Sequence, residues 1–205
     1  MSRPAKFSHS DIVDATARLA ARDGPARATM ASIAAELGAP TGSLYHRFAS
    51  RDILLGEVWL RAAQAFQDGH IALLGAGAPE SAGLAAALYV AARVRREPAE
   101  GRILLLHRRE DFLGGAWPVE MTQRAADLRH SGEAALQRFA LELCGRVDES
   151  TLDSVRYAVV GAPLAAVLPH LRADLAPPAS VDALISATYG AVVRLLGAPV
   201  SKSRS

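Results

Sequence analysis

Between residues 29 and 52 the apolar positions form two short stripes at helical spacing, parted by a glycine. Met30, Ile33, Ala34 and Leu37 recur on one face of a helix. Thr29 precedes them and can cap that helix through its hydroxyl. Gly38 stands where the chain must leave it, and glycine accepts the left-handed backbone such an exit needs. Pro40 suits the start of a second helix, where no amide hydrogen is required. Leu44 and Phe48 lie one turn apart and anchor that helix inward, leaving Thr41, Gly42, Ser43, Tyr45 and His46 on its outer side. Ser50 can cap a third helix, with Arg51 and Asp52 in its first turn.

The same periodicity runs along the rest of the chain. Phe7, Ser8, Asp11 and Ile12 carry the signature of a helix start, a capping-box variant with a hydrophobic staple. Ile12, Ala15, Thr16 and Leu19 then mark a buried stripe that ends at Asp23, Gly24 and Pro25. A longer helix is expected over 50–74, with Leu55, Trp59, Ala62 and Phe66 on one face. Further helices are expected over 80–97, 100–111, 117–145, 150–171 and 180–196, with Pro163 kinking the fifth of these. Ser131 and Gly132 are candidates for a bend inside the 117–145 helix. The last helix carries apolar residues on more than one face, so it needs cover from more than one side. Residues 1–6, with Arg3 and Lys6, and residues 201–205 read as solvated tails. A basic arm reaching for DNA is the competing reading of the first.

Composition narrows the class. Alanine, leucine and arginine favour helix, no long alternating β-branched run occurs, and the fold class is all-α. A three-helix head is expected over 1–52, with Ile12, Leu19, Ile33, Leu37, Leu44 and Phe48 as its core, and a helical body over 53–200. Half of the 205 residues are hydrophobic, enough to form a core without staples. The single cysteine, Cys144, excludes an internal disulfide and fits a reducing compartment. No signal-peptide pattern and no uninterrupted apolar run of about 20 residues is seen, so a cytoplasmic protein without a membrane span is expected. The net charge is only +2, yet residues 1–51 hold seven basic against four acidic side chains. A basic head on a near-neutral body suits a polyanionic partner at the head.

Enzyme chemistry finds no constellation. The six histidines are scattered, with no pair at metal-ligand spacing and no second cysteine, so neither a metal site nor a cofactor is expected. His107 with Glu110 and Asp111 is the nearest approach to an acid–base group, and adjacent residues do not share a helix face. The pattern at 29–52 is a helix-turn-helix, whose short second helix, small and polar on its outer face, fits the major groove of DNA. The other reading of that pattern is an ordinary helical hairpin.

The run IAAELGAPTGSLYHRFASRDILL resembles the signature of the tetracycline-repressor (TetR) family of bacterial transcription regulators. The matching positions are Thr29, Ile33, Ala34, Leu37, Gly38, Gly42, Ser43, Leu44, Tyr45, Phe48, Arg51, Asp52, Leu54 and Leu55. Pro40 departs from a serine common in the family, and Arg51 from a lysine. The resemblance implies phosphate contacts from Thr29, Tyr45, His46 and Arg51 and base contacts from Pro40, Thr41 and Ser43, with Gly42 allowing close approach. It implies a pocket for a small-molecule effector in the body, for which Trp59, Phe66, Tyr89, Arg93, His107, Phe112, Trp117 and Met121 are the candidates. It also implies a homodimer through the last two helices, with Leu164, Leu168, Ile185, Thr188, Tyr189, Val192 and Leu196 at the interface. The expected function is a DNA-binding regulator, a repressor released from a palindromic operator by its effector. A helical-bundle enzyme and a protein-interaction module are the alternatives.

Overall fold

The structure is a computed structural model that describes residues 7–112 and 117–197. The expectations for the tails and for the Gly114–Gly115 break fall outside these residues. The described chain is helical, with no strand among the described residues: α1 (His9–Asp23), α2 (Met30–Leu37), α3 (Thr41–Tyr45), α4 (Arg51–Leu74), α5 (Pro79–Arg96), α6 (Pro98–Leu105), α7 (Val119–Cys144), α8 (Glu149–Arg156), α9 (Ala162–Arg172) and α10 (Ser180–Leu195). Short 3-10 turns occupy Pro25–Arg27 and Arg109–Asp111, and a π turn, Tyr157–Gly161, joins α8 to α9.

The chain divides into two compact units, one of residues 1–63 with 99–126 and the other of 64–98 with 127–205. This differs from the boundary at 52/53 read from the sequence. The reason is the core of the first unit. Leu54, Leu55, Val58 and Ala62 from α4, Ile103 from α6 and Phe112 are buried in one cluster with Ile12, Leu19, Ile33, Leu44 and Phe48. Leu37, expected inside that core, is only partly buried against it. The head is thus completed by segments that follow it in sequence.

In the first unit each helix end is specified locally. Ser8 accepts from the Asp11 amide at 3.1 Å and donates from its own amide to Asp11 at 2.7 Å, closing a capping box on α1. Thr29 and Ser32 close a second box on α2. Gly38 ends α2 in the left-handed conformation, φ 61° and ψ 37°. Pro40 takes the capping position of α3, one residue before its first helical turn, and offers no side-chain cap. The Ser50 hydroxyl accepts the Ile53 amide and starts α4. Across the helices, Arg61 on α4 pairs with Asp14 on α1 at 2.6 Å, and Arg22 on α1 pairs with Glu36 on α2 at 3.4 Å.

In the second unit α5, α9 and α10 pack on one another. The buried face of α5 is built from Ala82, Gly83, Ala86, Ala87, Val90, Ala91 and Val94, small enough for close helix approach. Tyr189 and Phe139 fill the space over Gly83, and the Tyr189 hydroxyl donates to the Glu80 carbonyl at 2.9 Å. Arg95 clamps the start of α10, donating to the Pro177 and Pro178 carbonyls and to both Asp182 oxygens at 2.7–3.0 Å.

Three expectations need correction here. The 100–111 helix is shorter, ending at Leu105 before a separate turn at Arg109–Asp111. Pro163 produces a π turn upstream of itself within the helical span. That span, Glu149–Arg172, is also long and apolar enough to pass a length-and-composition test for crossing a membrane, with a mean hydropathy of 1.3. Val155, Ala158, Val159, Val167 and Leu171 within it are buried inside the chain, as in the core helix of a soluble protein.

Candidate nucleic-acid interface

Helix α3 is short because its sequence supports only one inward anchor within it. Leu44 is fully buried, Phe48 is buried just beyond the helix, and the positions between face outward. Pro40, Thr41, Gly42, Ser43, Tyr45 and His46 are all exposed, as is Thr29 at the start of α2. Tyr45 is 55 % exposed, so its phenol is a surface group and not part of the head's core. The Ser43 hydroxyl donates to the Pro40 carbonyl at 2.7 Å, which leaves its oxygen as an acceptor toward any partner. The Thr29 hydroxyl is taken up by the α2 capping box.

A groove of about 460 Å³ lies beside α3, lined by Phe7, Ile12, Pro40, Ser43, Leu44, His46 and Arg47. Arg47 is exposed and was singled out by no sequence pattern, only by the charge count. It stands near Asp11, whose carboxyl is held below the usual carboxylate range by Ser8's amide and hydroxyl first and by Arg47's charge last. The signal that could have found Arg47 is its place between the anchors Leu44 and Phe48, which turns it to solvent at the end of α3.

Arg51 departs from its expected role. Its Nε donates to the Ala28 carbonyl at 2.8 Å, and its Nη2 makes a short hydrogen bond to the Pro25 carbonyl. Its Nη1 lies 3.3 Å from Asp52. The side chain is 31 % exposed. A guanidinium committed to two main-chain carbonyls is a tie within the head, so the expectation of a phosphate contact from Arg51 is corrected.

The pocket candidates divide between the two units. In the first, the Arg109 guanidinium sits 5.1 Å from the Trp59 ring centre, His107 meets Phe112 edge-on at 6.1 Å, and Met121 is buried. Phe112 is fully buried in the core cluster and serves as packing. Trp117 lies against Gly56, and its indole Nε1 is buried with no hydrogen-bond partner among the described residues. Burial pushes the His107 pKa down, with Asp111 opposing. In the second unit Phe66, His70 and Tyr89 form a ring cluster with centroids 5.7–6.5 Å apart, and Arg93 is half-buried on α5. No three His, Cys, Asp or Glu side chains gather as a metal site among the described residues.

The dimer candidates also split. Ile185 and Tyr189 are buried within the single chain against α5, so they cannot form an outer face, and these two expectations are corrected. Leu164, Leu168, Thr188, Val192 and Leu196 are half-buried. The open face of α10 is instead Ala183, Leu184, Ala187, Ala191 and Leu195, with Leu184 58 % and Leu195 86 % exposed.

Residues 12–58 match the family described as bacterial regulatory proteins, tetR family. No curated protein matches the chain by sequence. Among solved structures, the fatty acid degradation regulator FadR from Bacillus halodurans is similar, with a TM-score of 0.67, 14 % identity, and 91 % of this chain and 98 % of that one covered. Mycobacterium smegmatis AmtR gives 0.58 at 24 % identity over 96 % and 89 %. Bacillus subtilis FadR, solved with stearoyl-CoA, gives 0.66 at 15 % identity over 92 % and 97 %. With its head matched over residues 12–58 and its whole length sharing the fold of TetR-family regulators, the chain belongs to the TetR family of bacterial transcription regulators.

Proposed function

We propose that this protein is a homodimeric, effector-responsive transcriptional repressor that acts in the cytoplasm and is not an enzyme. The observation that carries the reading is the exposed row Pro40, Thr41, Gly42, Ser43, Tyr45 and His46 on α3, backed by the buried anchors Leu44 and Phe48. A rigid short helix with a small, polar outer face fits the major groove. Pro40 and Thr41 offer apolar contact to thymine methyls, and Ser43 offers an acceptor to an adenine or cytosine amino group. Tyr45, His46 and Arg47 donate to phosphates, joined at Thr29 by the first amides of α2, which the helix leaves outside its own ladder. No arginine or asparagine on α3 gives bidentate base readout, so specificity rests on two half-sites and on DNA shape.

Two copies meet through the open face of α10, with Leu164, Leu168, Thr188, Val192 and Leu196 at its edges. Two-fold symmetry then makes the operator a palindrome with half-sites about one turn apart. An effector binds in the body, with candidate contacts from Phe66, Tyr89 and Arg93 or from Trp59, His107, Trp117 and Met121. It favours a state in which the heads no longer match the operator, and α4 carries the change. Moving from mostly bound to mostly free takes about a 10⁴-fold preference between the two states.

Selection from random duplex DNA at about 150 mM salt tests the reading, because non-specific phosphate binding is weakened there. A recovered palindrome supports it, and enrichment of nothing by the folded dimer sinks it. With the duplex in hand, stearoyl-CoA, the ligand of the Bacillus subtilis relative, is the first effector to screen. Linkage requires operator and effector to weaken each other by the same factor, and equal effector affinity with and without operator would remove the release mechanism.

A further inference from the structure

We infer that Arg51 is a positioning residue for the DNA-contacting start of α2, acting through the Pro25–Ala28 turn without touching a phosphate. The inference rests on the DNA-binding reading above. Arg51 spans two carbonyls of one turn: Nε–H donates to Ala28 and Nη2–H to Pro25. The same Pro25 carbonyl also accepts the Ala28 amide at 3.1 Å, which closes the 3-10 turn. From the other side, the Arg27 carbonyl accepts the Thr29 amide and the Ser32 hydroxyl, both at 2.9 Å. The turn is thereby gripped by α4 through Arg51 and by α2 through Ser32. Its next residue, Thr29, is the cap that sets where the first amides of α2 point.

Reaching a phosphate would require Arg51 to abandon both carbonyls. Ala28 is fully buried, so its carbonyl would be left without a partner away from water. The planar fork of a guanidinium suits two acceptors held side by side, whereas a lysine ammonium is a compact point charge. Arg51→Lys therefore separates the two roles: it keeps the charge and loses the fork.

The test uses the full chain and the duplex recovered by selection, with affinity measured between about 50 and 300 mM salt. Arg51→Lys and Arg51→Ala are compared with Arg47→Ala, at a temperature where circular dichroism shows each folded. Amide exchange over residues 28–33 is followed in the DNA-free protein. Arg51→Lys should weaken binding about tenfold, as loss of a charged hydrogen bond does, with the salt slope unchanged. Exchange should quicken at 28–33 and stay unchanged along α5 and α10. Arg47→Ala should lower the slope by about 1 per head. Wild-type affinity in Arg51→Lys, a slope lowered by about 1 per head in Arg51→Ala, or unchanged exchange at 28–33 would each overturn the inference. Recovery of no duplex would remove the DNA reading, and the exchange result would still decide whether Arg51 holds the turn.

Discussion

His70 on α4 places its Nε2 3.0 Å from the main-chain carbonyl of Val159. An α-helical bond to that carbonyl would come from the residue four places on, which is Pro163 and has no N–H. The histidine supplies the missing donor at the point where the ladder widens into the π turn. The ring is buried, and burial pushes its pKa below the ordinary histidine value while the Val159 carbonyl opposes. The neutral ring with its proton on Nε2 is the form that fits this acceptor.

His70 should therefore make stability fall in mild acid. Its folded pKa lies below its unfolded one, so below about pH 6.5 the unfolded chain takes up a proton that the folded chain refuses. Stability should be highest above that pH and decline as pH falls through it toward the folded pKa. Thermal midpoints between pH 8 and 5 check this: His70→Gln should flatten the decline. His70→Leu should cost about 1–3 kcal/mol at pH 8, because the Val159 carbonyl loses its donor.

Gly83→Ala should destabilise the second unit. An added Cβ would collide with the Tyr189 hydroxyl and the Phe139 ring, and Tyr189 is held there by its bond to Glu80. Overpacking of this kind costs about 1–3 kcal/mol. Urea denaturation gives the value, and a cost near zero would mean that the Tyr189 bond yields easily.

Leu184→Glu should split the proposed dimer and leave the protomer folded. The side chain is more than half exposed on the open face of α10, so a charge there disturbs no interior packing. Sedimentation should show monomer at concentrations where the wild type is dimeric, with the helical signal in circular dichroism unchanged. A dimer persisting in Leu184→Glu would place the interface elsewhere.

Pro40→Ser should alter operator preference more than stability. A serine cap on α3 adds about 1 kcal/mol, while removing proline frees the unfolded chain by about 0.4–1 kcal/mol, so the two nearly cancel. Repeating the selection with this variant should shift the base preferred at one position in each half-site. Melting should move by a few degrees at most.

The head was readable because its signals are local. Ser8 with Asp11, Thr29 before Met30, and Gly38 after Leu37 act over one to three residues, and each forms the cap its spacing implies. The inward anchors Leu44 and Phe48 likewise fix which side of α3 is left to solvent. Arg51 was not readable, because its partners are main-chain carbonyls 23 and 26 residues away, which no side-chain pattern encodes. On α10 the apolar residues run round more than one face, so periodicity could not tell which side the chain itself covers. The chain takes Ile185 and Tyr189 for its own interior and leaves Leu184 and Leu195 outside.

The π turn at Tyr157–Gly161 has a bearing on how this stretch tolerates change. The Ala162 amide bonds back to the Tyr157 carbonyl, five residues away, so this turn holds one residue more than an α-helical turn. One surplus residue shifts the angular phase of everything before it by about 100° relative to a plain helix. The stripe that buries Val155 on α8 and the stripe that buries Val167 on α9 are set against each other by that offset. Removing a single residue from 157–161 would restore an even winding and swing α8 by about a quarter of a revolution, turning its interior side outward. A helix that looks continuous in sequence is in effect two clocks set to different hours, and length within those five positions is constrained more tightly than the identity of any one of them.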